Sequence, residues 1–161
     1  MRPDHIINDI QTCFVALFEQ LQSDTVPFTN WQIVREYPEA TVLDNMTDLF
    51  IYIKAPTLTG RRYHQGGKSG LDFEIIIGIH NDKITGGAEE HGIAESAILN
   101  VLNDSKAVHT KVFDVQLGNT VYQNQTLTLQ GIRVMDISGP FWFVEKKEDE
   151  FRSEFRVRVK T

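Results

Sequence analysis

One cysteine, Cys13, occurs in 161 residues, so no disulfide can form within the chain and a reducing compartment is expected. No apolar run approaches the roughly 20 residues that span a bilayer. The stretch after Met1 is polar and amphipathic, unlike the basic-then-apolar order of a secretory leader. The expectation is a soluble protein, made in the cytoplasm and free of membrane. Positive charge is scarce: 16 Lys and Arg stand against 22 Asp and Glu, for a formal net charge of -6. That balance excludes broad non-specific wrapping of nucleic acid, which works by counterion displacement over a wide cationic surface. No internal repeat or low-complexity tract calls for a second domain. A chain 41% hydrophobic can bury one core, so residues 1–161 are expected to form one domain.

What is there is periodicity. Ile6, Ile7, Ile10, Cys13, Phe14, Leu17, Phe18 and Leu21 recur every three or four residues, which predicts a helix from Pro3 to Leu21. Its broad apolar stripe needs a sheet to lie on, with Cys13 as a small packing residue. Residues 28–43 read as irregular or weakly extended. The run from Leu49 to Lys54 is apolar on both parities, as in a strand covered on both faces, and Pro56 ends it. The stretch from Pro56 to Gly70 holds four glycines among Arg61, Arg62, His64 and Lys68, which predicts a long mobile loop. A long strand follows over Leu71–Ile79, one face apolar throughout, the other wet at first and then buried. A second helix is predicted over Ala88–Leu102, with Ile93, Ala94, Ala97, Ile98, Val101 and Leu102 inward. Beyond it come a short strand over Val112–Leu117, a turn at Gly118-Asn119 and a bulge at Gln130-Gly131. Ser138-Gly139-Pro140 reads as a turn, and Phe141 to Val144 as a strand whose aromatics fill the core. The order gives an α+β fold: a mixed or antiparallel sheet packed by an N-terminal and a second central helix.

The last ten residues alternate most strictly. Phe151, Phe155, Val157 and Val159 take one parity; Arg152, Glu154, Arg156, Arg158 and Lys160 take the other. A strand with one buried and one cationic face, on an acidic chain, invites an anionic partner or another copy. Carboxylates to oppose it are Glu148, Asp149 and Glu150 of a neighbouring copy, or Asp72 and Glu74 of the same chain; the alternative is a solvated sheet face.

Chemistry is poorly marked. Gly67-Lys68-Ser69 lacks the earlier P-loop glycine, whose position is held by Arg62, and a strand follows instead of a helix. His91 and Glu95 lie one turn apart without the second histidine of a helical metal signature, and read as surface polarity. The five histidines are scattered, and no G-x-S-x-G elbow occurs. Only Tyr63 could stack a base in the basic loop. No catalytic, cofactor or metal residue is assigned, and the chain is not expected to be an enzyme.

The layout resembles the tail terminator family of long-tailed bacteriophages. The resemblance rests on the helix from Pro3 to Leu21, the strands around Phe50 and Ile75 with the loop between them, the helix from Ala88 to Leu102, and the terminal FWFVEKKEDEFRSEFRVRVK hairpin. Lys111 to Met135 departs from it. The resemblance implies a structural virion protein at the head-proximal end of the tail, assembled in the host cytoplasm. Copies would form a ring, expected to be a hexamer, that stops growth of the tube. Its partners would be itself, the tail tube protein and a head-completion or neck protein, with DNA passing through without sequence-specific binding. Interface candidates are Arg61, Arg62, Lys68, Glu148, Asp149, Glu150, Arg152, Arg156, Arg158 and Lys160. The alternatives are another head-tail joining protein and a small cellular ligand-binding domain or enzyme.

Overall fold

The structure is a computed structural model. It describes residues 6–24, 31–39, 49–63, 69–81, 87–103, 115–117, 120–122, 133–143 and 151–160. Among the described residues, two helices, α1 (Ile6–Asp24) and α2 (Gly87–Asn103), accompany eight strands. These are β1 (Gln32–Arg35), β2 (Leu49–Ile53), β3 (Thr57–Tyr63), β4 (Ser69–Asn81), β5 (Val115–Leu117), β6 (Thr120–Tyr122), β7 (Arg133–Trp142) and β8 (Phe151–Lys160). Six of them form one mixed sheet in the order β1-β2-β4-β8-β7, with β3 also paired to β4. The pairs are antiparallel except the parallel β1–β2. β5 and β6 make a separate two-stranded ribbon. The α+β expectation holds. Among the described residues, no helix is long and apolar enough to cross a membrane.

Alternation decides the two faces of the sheet. Ile51 and Ile53, the odd residues Phe73 to Ile79, and Phe155, Val157 and Val159 form the inner face. Ile10, Cys13, Phe14, Leu17 and Phe18 of α1, with Ala94, Ile98 and Leu102 of α2, close over it in one core. Each large side chain so buried contributes roughly 1.5–3 kcal/mol. Gln11 fastens α1 to the sheet, donating to the Ile53 carbonyl at 2.8 Å and to Glu36 Oε1 at 3.0 Å. Glu36, at φ 58, turns the chain out of β1, and its carboxylate accepts from the Ala55 amide.

The second face of β4 runs as expected, half-buried at Asp72, Glu74 and Ile76 and buried at Gly78 and His80. Four other expectations need correction. The stretch from Pro56 to Gly70 is not a structureless loop: Thr57–Tyr63 pairs with the first part of β4, from Ser69 to Glu74, and only 64–68, with Lys68, lie outside the described residues. Ser138-Gly139-Pro140 does not end a strand. β7 runs through it and absorbs the extra residue as a bulge, since Ser138 opposes Arg156 while Phe141 opposes Glu154. Gly139, at φ +114, suits the bulge: a Cβ there would lie 2.8 Å from the Glu154 carbonyl oxygen. Phe141, Trp142 and Phe143 do not fill the core, because β7 is the last strand of the sheet among the described residues; they are 47%, 49% and 40% exposed. Finally, α2 is turned relative to the expected stripe, burying His91, Ala94, Ile98 and Leu102 while Ile93 faces outward. The turn at Gly118-Asn119, the bulge at Gln130-Gly131 and the first part of the Val112–Leu117 strand lie outside the described residues.

Candidate functional site

The outer face of the sheet divides into a sealed half and an open half. In the sealed half, the ring of Tyr52 crosses Gly78 and its hydroxyl donates to Glu154 Oε1 at 2.6 Å. Arg152 donates to the Tyr52 oxygen at 3.0 Å and to Glu154 Oε1 at 3.2 Å, while Lys54 Nζ stands 3.5 Å from the same carboxylate oxygen. The Arg152 guanidinium lies 3.9 Å from the Tyr37 ring centroid and 4.4 Å from that of Phe143, held between two aromatic faces. Burial, then the neighbouring Glu154, pushes the Tyr52 hydroxyl well above its ordinary range, so it stays a neutral donor. The cationic face of β8 is therefore not uniform. Arg152 is taken up in this cluster and Glu154 is buried, which strand parity alone could not reveal.

In the open half, Arg156 and Arg158 are exposed and Lys160 is half-buried. Register places Asp72 opposite Lys160 and Glu74 opposite Arg158 from β4, with Asp136 opposite Arg158 from β7. The expected carboxylates of the same chain are thus cross-strand neighbours. Arg156 lies 5.1 Å over the Phe141 ring. Arg61 and Arg62 stand on β3, opposite Leu71 and Gly70. Their side chains, and Lys68, Glu148, Asp149 and Glu150, lie outside the described residues.

The inner face holds a polar cluster that sequence reasoning missed. His91 Nε2 is 2.7 Å from Ser153 Oγ, and that hydroxyl donates to Glu95 Oε2 at 3.3 Å. Trp142 packs on the His91 ring at 4.6 Å, with Phe151 beyond. Burial first, and His80 second, lower the histidine pKa to about 4. A Ser–His pair at this distance resembles a nucleophile and its base, but the proton order does not fit. With the serine proton on the Glu95 bond, the imidazole is the donor to the serine and not the base that takes its proton. The carboxylate touches the serine, where a triad would place it on the far nitrogen of the imidazole. Ser153 is also fully buried. The cluster works as a latch between α2 and β8. Its only sequence signal is a polar Ser153 on the otherwise apolar parity of the last strand.

Beyond the aromatics, β7 borders an open cleft of about 370 Å³ between its first half and the end of α2. Leu102, Val134 and Ile137 make its apolar wall; Asn103, Met135 and Asp136 line the rest. Among the described residues, no group of His, Cys, Asp or Glu is placed to hold a metal ion.

No family model matches the chain, and no curated protein matches it. Among solved structures, a chain in the virion of a native gene transfer agent particle is similar, with a TM-score of 0.50 at 15% identity over 90% of this chain and 92% of its own. A further solved chain, 12% identical over 95% of this chain and 92% of its own, has a TM-score of 0.47 and carries no argument. At 15% identity the likeness shows a shared fold and nothing further.

Proposed function

We propose that this chain is a structural protein of a tailed, phage-type virion, and within it the tail terminator: a ring of copies, six in the simplest case, that caps the head-proximal end of the tube. The observation that carries the reading is the fold shared along nine-tenths of the chain with a component of a gene transfer agent virion. The order of elements supports the finer assignment by its resemblance to tail terminators. The surface supports it too: the buried polar clusters are satisfied within the chain or shut away from solvent, whereas β7 and β8 leave aromatics and cations exposed. In this reading Arg156, Arg158 and Lys160, with Arg61, Arg62, Lys68 and the Glu148–Glu150 stretch, meet neighbouring copies, the tube protein or the neck. A net charge of -6 suits a ring through which DNA slides without being held. The ring would belong to the virion tail and be assembled in the host cytoplasm.

The test is to mix the purified protein with isolated tails and with filled heads of the same phage, then sediment each. Binding to tails and not to heads is expected. Binding to heads alone would make it a neck or head-closure protein, and binding to neither would remove the virion reading.

A further inference from the structure

Among the described residues the sheet ends at β7, and that edge is built unevenly. Two irregularities, between Val134 and Asp136 and between Ser138 and Phe141, break its register. Pro140 offers no amide. Such an edge resists addition of a further strand along its length. What it presents instead is side chains. At its end, Phe141 and Phe143 lie on the outer face and Trp142 on the inner face, so the aromatics, each half-exposed with its other side packed on Arg156, Arg152 or His91, straddle the edge as an apolar knob. At its start lies the open cleft walled by Leu102, Val134 and Ile137.

The two features complement one another. The cleft, at about 370 Å³, can admit an aromatic side chain. Its Asn103 and Asp136 are acceptors suited to an indole N–H, which is a donor only. The knob of one chain cannot reach the cleft of the same chain: at a strand's rise per residue, Met135 and Trp142 stand roughly 20 Å apart along β7. A knob and a cleft at different places on one surface make a head-to-tail contact, which closes into a ring when the rotation per copy allows.

We propose that the β7 edge is the self-assembly contact of this protein, with the Phe141–Phe143 knob of one copy seated in the Leu102–Val134–Ile137 cleft of a second copy. The inference deepens the ring reading above and rests on it for its biological meaning, but its test requires neither tails nor heads.

Two variants separate the halves of the contact: Trp142→Ala removes the knob, and Met135→Arg places a charge at the cleft on a residue already 57% exposed. Sedimentation velocity and native mass spectrometry, run up to the highest soluble concentration, should show a closed oligomer larger than a dimer for the wild type. Each variant alone should be monomeric. Their equimolar mixture should give a heterodimer that stops there, because only one intact knob meets one intact cleft. Circular dichroism of each variant checks folding; if Trp142→Ala unfolds, Phe141→Ala with the same Met135→Arg partner keeps the test intact. A wild type that stays monomeric, or assembles only to a dimer, overturns the inference. So do variants that assemble like wild type. Rings that survive both variants would leave the virion reading standing and remove this contact; loss of tail binding with rings intact would do the reverse.

Discussion

The ring of Tyr52 occupies the space where a side chain on Gly78 would stand. A Cβ built on Gly78 would fall 2.0 Å from the ring carbon bearing the hydroxyl. Glycine at this point of β4 lets the tyrosine lie across the sheet and reach Glu154 on β8. Gly78→Ala should therefore cost roughly 2–4 kcal/mol, from overpacking together with loss of the hydroxyl bond. Urea unfolding measures it. In a Tyr52→Ala background the same substitution should cost little, because the clash has lost its partner.

The cations of β8 should behave as two classes. Arg152→Glu puts a second carboxylate beside Glu154, in a site closed by Tyr37 and Phe143, and should destabilise by about 3 kcal/mol or more. The double reversal Arg156→Glu/Arg158→Glu, on the exposed half, should change stability by only about 0–1 kcal/mol. It should still prevent ring formation, and reversing Glu148, Asp149 and Glu150, the carboxylates proposed to come from a neighbouring copy, should partly restore it. Thermal melts and sedimentation together distinguish the classes; a double reversal that assembles like wild type marks those arginines as ordinary surface.

The His91 latch makes stability depend on pH in a defined window. The unfolded histidine takes up a proton near its ordinary value of 6.5, whereas the folded one resists until about 4. Between those values the unfolded state binds more protons, so stability is fully present above about 6.5 and falls as pH drops toward 4. The loss attributable to this group is up to about 3 kcal/mol. His91→Gln, which keeps a donor for Ser153 but cannot titrate, should flatten that slope in denaturant unfolding at pH 7, 5.5 and 4.5. An unchanged slope would place the titration elsewhere.

Cys13, 1% exposed beneath α1, should react with a thiol reagent only as fast as the protein opens. Rapid labelling of the folded protein at one equivalent would contradict its place in the core.

Much of the sheet was legible because period two and period 3.6 are local. Cys13, Phe14 and Leu17 lie where the stripe of α1 predicts, β2 is buried on both faces, and β8 alternates to its end. The misreadings share one cause: pairing between distant segments. Thr57 to Tyr63 becomes a strand because the long β4 offers a free side to pair with, and no residue in Thr-Leu-Thr-Gly-Arg-Arg-Tyr announces that partner. Gly139 and Pro140 have the chemistry of a turn, yet β8 holds the flanking residues in register and converts the turn into a bulge. Phe141 to Phe143 have core composition, and only the strand order puts them at an edge. His91 is buried because Ser153, 62 residues away, gives its imidazole a partner. At the candidate site the cationic alternation was visible in the sequence. The withdrawal of Arg152 into an aromatic clasp was not, since Tyr37, Tyr52 and Phe143 converge on it from three segments.

The most direct measurement is electron-microscopic averaging of tube protein from the same phage, polymerised with and without this chain. Added protein should yield shorter tubes that carry a closed ring of copies at one end only, and Trp142→Ala should leave the ends bare. Tubes of unchanged length with no terminal density, under wild-type protein at saturating concentration, would contradict the capping role.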